Sequence, residues 1–181
     1  MKIINVQFDR QVAIFQSDLY AEQKEDAEAL EEEWSKIKSR NKTLSNRIQA
    51  LLAGNRTRGV LVGEKIITTF QSVSNAVSRN AEYLASERMC VIAYQLQLFY
   101  RQNGKYPATL ETVLTDSKTN LLDPFSGKPI IYTRRDTGFR LHVVGDNLKD
   151  DDAVNGEDRS QGMLGDDLKI DFRPITKSNK R

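Results

Sequence analysis

Residues 123–145 read DPFSGKPIIYTRRDTGFRLHVVG, and this stretch decides the fold class. It opens with turn-forming residues and continues into two apolar-rich runs, 130–134 and 139–144, which are joined by RDTG, a sequence that favours a hairpin turn. A third run, LKIDF at 168–172, alternates apolar and polar residues as a half-buried strand does. The sequence therefore predicts a small antiparallel β-sheet over 130–172.

Helical segments precede this sheet. The segment from about 9 to 52 contains no Gly or Pro and is rich in Glu, Lys, Gln, Ala and Leu, so it predicts a long helix. A second long helix is predicted over 63–102, because an apolar stripe at helical spacing ends at Asn-Gly, and a short helix over 109–114. The expected fold is α+β, with long N-terminal helices, as a hairpin or coiled coil, packed on the sheet.

This reading divides the chain into three parts. A helical stem is predicted over 1–58, a domain with the second helix and the sheet over 59–176, and a basic tail over 177–181. A Gly- and Asn-containing break at 54–59 marks the first boundary.

The stem carries a heptad pattern. Positions spaced by seven alternate three and four apart, as the seam of a coiled coil requires. The interface residues predicted from it are Leu30, Trp34, Ile37, Asn41, Leu44 and Ile48. Upstream, Val12, Phe15 and Leu19 follow a different phase. Two interpretations remain open: self-association or binding of a partner helix, or packing of an amphipathic helix on its own chain through a hairpin with the next helix.

Several function classes lack support in the sequence. The net charge is +2, the basic residues have no interleaved aromatics, and no nucleic-acid partner is expected. The single histidine, His142, lies in a predicted strand and is expected to be structural, so no enzyme is predicted.

The single cysteine, Cys90, lies among apolar residues and is expected to be buried. No apolar run is long enough to span a bilayer, although a longer parent protein could be anchored.

The strongest candidate for a site is the segment 146–167, which we call the acidic loop. It holds eight acids against two bases. Calcium needs six to eight oxygen ligands, which such a loop can supply. An EF-hand is excluded, because placing Gly156 at the turn puts Ala153 and Gly162 where ligands are needed. The alternative is an exposed, solvated loop whose Asp and Gly residues favour turns.

The order of landmarks over 91–172 is more specific than any one of them. A long helix ends in NGKYP, and the DPFSGKP turn, two strands with Gly-Phe before the second, Val-Gly and the acidic loop follow. This order resembles the soluble part of type II secretion pseudopilins, specifically the major pseudopilin. The family's N-terminal processing site and apolar first helix are missing from this chain.

The resemblance implies a non-catalytic structural or assembly protein of the cell envelope. It also implies a loop that holds calcium between the last strands. The metal-binding residues expected from it are Asn147, Asp150, Asp151, Asp152 and Asp167. Asn147 and Asp167 fall best on the family's pattern, and protein partners or self-association through the helices are expected.

Overall fold

A computed structural model describes residues 2–40, 72–113, 122–151 and 167–173. The elements within these residues are three helices, a short 3-10 helix and one three-stranded antiparallel sheet of order β1-β2-β3. Their bounds are α1 Lys2–Ile14, α2 Tyr20–Arg40, α3 Val73–Asn103, the 3-10 helix Leu110–Thr112, β1 Ile131–Arg135, β2 Gly138–Val143 and β3 Leu168–Phe172. The predicted α+β class with a small antiparallel sheet is confirmed.

The chain divides into two compact units, 1–80 and 81–181. This boundary falls inside α3, which is one uninterrupted helix, so neither Gly nor Pro marks it in the sequence. The domain boundary predicted at 58/59 lies outside the described residues. The predicted break at 54–59 and the predicted tail at 177–181 lie outside the described residues.

The first unit contains a helical hairpin instead of the continuous helix predicted from residue 9. That prediction is wrong at 15–19, where the chain leaves the helix between α1 and α2. The Ser17 side chain accepts a hydrogen bond from the Leu19 N–H at 3.3 Å and donates one to Glu22 at 2.8 Å. Serine thus competes with helix formation through local hydrogen bonds, and the interruption needs neither Gly nor Pro.

Buried side chains from all three helices form the core of the first unit. They are Ile14, Tyr20, Ala27, Leu30, Trp34, Val73 and Val77. Leu30 and Trp34 are 1% and 8% exposed, so this part of the predicted interface is used inside the chain. That arrangement favours the amphipathic-hairpin interpretation for these two positions. The side chain of Ile37 and residues Asn41, Leu44 and Ile48 lie outside the described part.

A carboxylate from α2 caps the first turn of α3. Glu31 accepts hydrogen bonds from the Ser72 hydroxyl at 2.7 Å and from the Ser74 N–H at 2.9 Å. Burial alone would raise the pKa of Glu31, but the hydrogen bonds from Ser72 and Ser74 outweigh it and lower the pKa. The contact therefore stabilises the fold above the ordinary titration range of glutamate and is lost as the pH falls through the lowered pKa.

At its other end, α3 stops where the sequence predicts. Gly104 has φ +69°, and its N–H donates to the Tyr100 carbonyl at 2.8 Å, as in a left-handed C-terminal cap. Tyr106 then stacks on Tyr100 at a centroid distance of 4.6 Å and meets the edge of Phe139 at 5.1 Å. Aromatic contacts thus join the end of α3 to β2.

The sheet of the second unit is amphipathic. On one face of the sheet, Phe139, Leu141 and Val143 of β2 are buried. Their partners on β3 are the half-buried residues Phe172, Ile170 and Leu168. The other face carries Arg140, whose guanidinium pairs with Asp171 at 2.9 Å and lowers the pKa of that carboxyl. Buried α3 residues of the same unit, Ala85, Met89, Ile92 and Leu96, complete the core.

Two local expectations need correction. Cys90 is exposed, because it lies on the side of α3 opposite the buried positions Met89 and Ile92. The apolar neighbours that suggested a buried thiol are themselves divided between the two faces, since Val91 is 40% exposed. The predicted short helix at 109–114 is a 3-10 turn at Leu110–Thr112.

Candidate metal centre

The start of the acidic loop is fixed by a buried aspartate in the preceding turn. Asp123 is 2% exposed, and its carboxylate accepts hydrogen bonds from the Phe125 N–H at 2.9 Å and the Ser126 hydroxyl at 2.6 Å. It also accepts one from the Val144 N–H at 3.3 Å, directly after β2. One side chain therefore organises the 123–127 turn and ties it to the point where the loop begins.

The first residues of the loop form a tight turn. The Leu148 N–H donates to the Gly145 carbonyl at 3.1 Å, and the Asn147 side-chain oxygen accepts from the Lys149 N–H at 2.7 Å. Leu148 has φ +58°, which costs a non-glycine residue about 1 kcal/mol. The turn reverses the chain, so that the following residues return toward the end of β2.

Three potential metal ligands from separate parts of the sequence meet there, and we call them the His142 cluster. It consists of His142 in β2, Asp150 in the loop and Asp167 directly before β3, and one possible ligand atom of each lies within 4.8 Å of the others. The His142 Nε2 is 3.2 Å from an Asp150 carboxylate oxygen. His142 and Asp167 are 6% and 2% exposed, whereas the Asp150 side chain is 47% exposed.

The two ends of the acidic loop are held together by a backbone contact. The Asp151 N–H donates to an Asp167 carboxylate oxygen at 3.0 Å. Asp167 immediately precedes β3. This bond therefore links Asp151, near the start of the loop, to the residue at which the chain enters β3. The loop is therefore closed at its base, and its closure places the two carboxylates beside the imidazole.

The structure separates the predicted metal residues into two groups. Asp150 and Asp167 belong to the His142 cluster. The side chains of Asn147 and Asp151 pair with each other instead, with the Asn147 amide donating at 2.9 Å. Asp152 lies outside the described residues.

The donor set decides which cations fit. Two carboxylates with a neutral imidazole carry a charge that a divalent cation balances, and a cation offsets the cost of burying Asp167. Carboxylate oxygens suit calcium, whereas imidazole nitrogen suits zinc and its neighbours. The two aspartates would supply part of the six to eight oxygen ligands that calcium takes, and the histidine is a ligand that calcium does not need.

Sequence reasoning missed His142 and Asp123 as parts of this region. The alternation of β2 places His142 on the face opposite Leu141, with Lys169 as its neighbour on β3, and that signal was available. What the alternation does not show is that Asp150 and Asp167 meet His142 on this face. The signal for Asp123 was its position before Pro124 in a turn, where aspartate side chains accept from the backbone two residues on.

No described helix combines the length and the apolar character needed to cross a membrane. Comparison of the chain with protein-family models, with curated proteins and with solved structures gives no match. A proposal for the function of this chain therefore rests on the geometry of the His142 cluster and on the order of the sequence landmarks.

Proposed function

We propose that this chain is a non-catalytic structural protein of the cell envelope, with a pseudopilin-like domain stabilised by calcium. The observation that carries the proposal is the closed base of the acidic loop, where the Asp151 N–H binds the Asp167 carboxylate at 3.0 Å. Asp150 and Asp167 would hold the ion, and its charge would order the loop against β2 and β3.

The order of the landmarks supports the same proposal. Gly104 caps the long helix, Tyr106 joins that helix to β2, and Asp123 anchors the turn before the hairpin. Three of the landmarks named in the resemblance thus have structural roles in the second unit. These roles are those of a scaffold that presents a surface, and an assembly function follows from the resemblance.

Calcium is expected to raise the melting temperature of the full chain. A cation at about 100 times its dissociation constant should add roughly 2.7 kcal/mol to the free energy of unfolding. Thermal unfolding followed by circular dichroism, in excess chelator and then in excess calcium, measures this difference. Asp150→Asn and Asp167→Asn should each reduce it, because each removes a negatively charged ligand.

The comparison is made within each variant, so that a loss of intrinsic stability does not count as a loss of binding. Asp136→Asn is the matched control, since Asp136 lies in the exposed hairpin turn away from the loop. Equal melting temperatures in chelator and calcium for the wild type would contradict the proposal. So would a calcium effect that Asp167→Asn leaves unchanged.

A second candidate function is self-association through the helices without a metal. The observation that favours it is a group of exposed apolar side chains on α1 and the connection after it: Val6, Phe8, Val12, Phe15 and Leu19, all 43–57% exposed. Phe8 and Val12 are one helical turn apart, and exposed apolar side chains that adjoin on a surface often mark an interface.

Under this second function, the wild type should form dimers or larger species in sedimentation velocity, and Phe8→Ser with Val12→Ser should shift it toward monomer. Glu31→Gln serves as the control, because it weakens the same unit without changing the exposed side chains. A wild type that stays monomeric over a wide concentration range excludes this function and leaves the calcium proposal untouched.

A further inference from the structure

The His142 cluster contains a ligand that a calcium loop does not require. His142 lies on the central strand β2, is 6% exposed, and comes from outside the acidic loop. Its Nε2 faces Asp150, and its Nδ1 has no hydrogen-bond partner among the described residues. A buried imidazole close to two carboxylates supplies a set of donor atoms that metal sites use.

From these contacts we infer that the His142 cluster binds a borderline transition-metal cation of the zinc type, with His142, Asp150 and Asp167 as its ligands. This inference rests on the proposed cation site and names the class of metal that it selects. Imidazole nitrogen suits zinc and nickel, whereas calcium prefers ligands that are all oxygen, so the presence of His142 favours the first class of cation.

The geometry is compatible with such an ion. Ligands about 2.1 Å from a tetrahedral zinc lie roughly 3.4 Å apart. The His142 Nε2 and the Asp150 oxygen are already 3.2 Å apart, and the mutual distances in the cluster do not exceed 4.8 Å. Zinc binding therefore needs a contraction of the cluster, and Asp150, whose side chain is 47% exposed, is the least confined of its three ligands.

Metal binding would also determine which ring nitrogen of His142 carries the proton. When Nε2 ligates the metal, its lone pair is used in the bond, and the ring proton resides on Nδ1. Asp150 then exchanges its hydrogen bond with His142 for a bond to the ion. The two aspartates supply negative charge to either Zn²⁺ or Ca²⁺. His142 is therefore the ligand that distinguishes the two cations.

The sequence makes this inference testable without ambiguity, because His142 is the only histidine in the chain and Cys90 is the only cysteine. The full chain without a histidine tag is titrated with Zn²⁺ in competition with a chromophoric chelator. Co²⁺ replaces Zn²⁺ in a second titration, and its visible absorption reports the ligand set. Ca²⁺ is titrated in parallel on the same preparations.

Zn²⁺ is expected to bind the wild type, and His142→Gln is expected to weaken that binding at least about 10-fold while changing the Ca²⁺ response less than about twofold. Cys90→Ser, the control for the exposed thiol, should bind like the wild type. Zn²⁺ binding that survives His142→Gln, or that Cys90→Ser abolishes, would overturn the inference.

The two proposals fail separately. If calcium stabilises the chain and Zn²⁺ does not bind, the inference is wrong and the proposed calcium function stands. If Zn²⁺ binds through His142 and calcium has no effect, the calcium proposal is wrong and the inference stands.

Discussion

Asp123→Ala is expected to lower the free energy of unfolding of the second unit by about 3 kcal/mol. The carboxylate is 2% exposed and accepts from the Phe125 N–H, the Ser126 hydroxyl and the Val144 N–H. Alanine leaves these donors without their acceptor, and the two backbone N–H groups lie in a buried region that water reaches poorly. The turn would also lose its link to the end of β2.

Urea denaturation followed by circular dichroism measures this loss, and a graded pair of variants makes the reason visible. Asp123→Asn keeps one oxygen acceptor and should lose about half as much as alanine. Glu87→Ala, which removes an exposed carboxylate from α3, should change the stability by less than about 0.5 kcal/mol. A loss for Asp123→Ala no larger than that of Glu87→Ala would show that the carboxylate does not organise the turn.

Gly138→Ala is the second change with a large expected effect, a loss of about 3 kcal/mol or more. A Cβ at Gly138 would overlap the backbone carbonyl oxygen of Phe172 and press on its carbonyl carbon at 3.1 Å. The obstacle is backbone and not a flexible side chain, so β3 would have to move away from β2. Because Asp167 directly precedes β3, we expect this variant to weaken cation binding as well.

Gly104→Ala provides the matched comparison for this prediction. A Cβ at Gly104 meets nothing within 4 Å, but the φ of +69° strains an alanine, so a loss of about 1 kcal/mol is expected. Denaturation midpoints of the two variants measure the difference. The account of the β2–β3 contact is wrong if Gly138→Ala is no less stable than Gly104→Ala.

Strand and turn positions could be predicted from the sequence because their signals are local. β3 lies at Leu168–Phe172, where the alternation placed it, and the bounds of β1 and β2 differ from the prediction by one residue at each end. The end of α3 followed from Asn103-Gly104, because only a few residue types adopt a positive φ readily. Period and turn chemistry are properties of neighbouring residues, which a sequence shows directly.

The helix break at 15–19 and the composition of the cation site could not be predicted with the same signals. Ser17 interrupts the helix through hydrogen bonds to Leu19 and Glu22, and summed helix propensity does not register such bonds, so it favours continuity. His142 and Asp167 are 25 positions apart in the sequence and meet only because the base of the loop closes. Such closure depends on tertiary contacts, among them that of Asp123 with Val144.

The central claim is that Asp150 and Asp167 hold a calcium ion at the base of the acidic loop. Calorimetric titration of the chelator-treated full chain with Ca²⁺ tests it most directly, because it measures stoichiometry and affinity without unfolding the protein. We expect a single saturable site in the wild type and none in the variant that carries both Asp150→Asn and Asp167→Asn. A wild type that shows no saturable binding, or a double variant that binds as the wild type does, would contradict the claim.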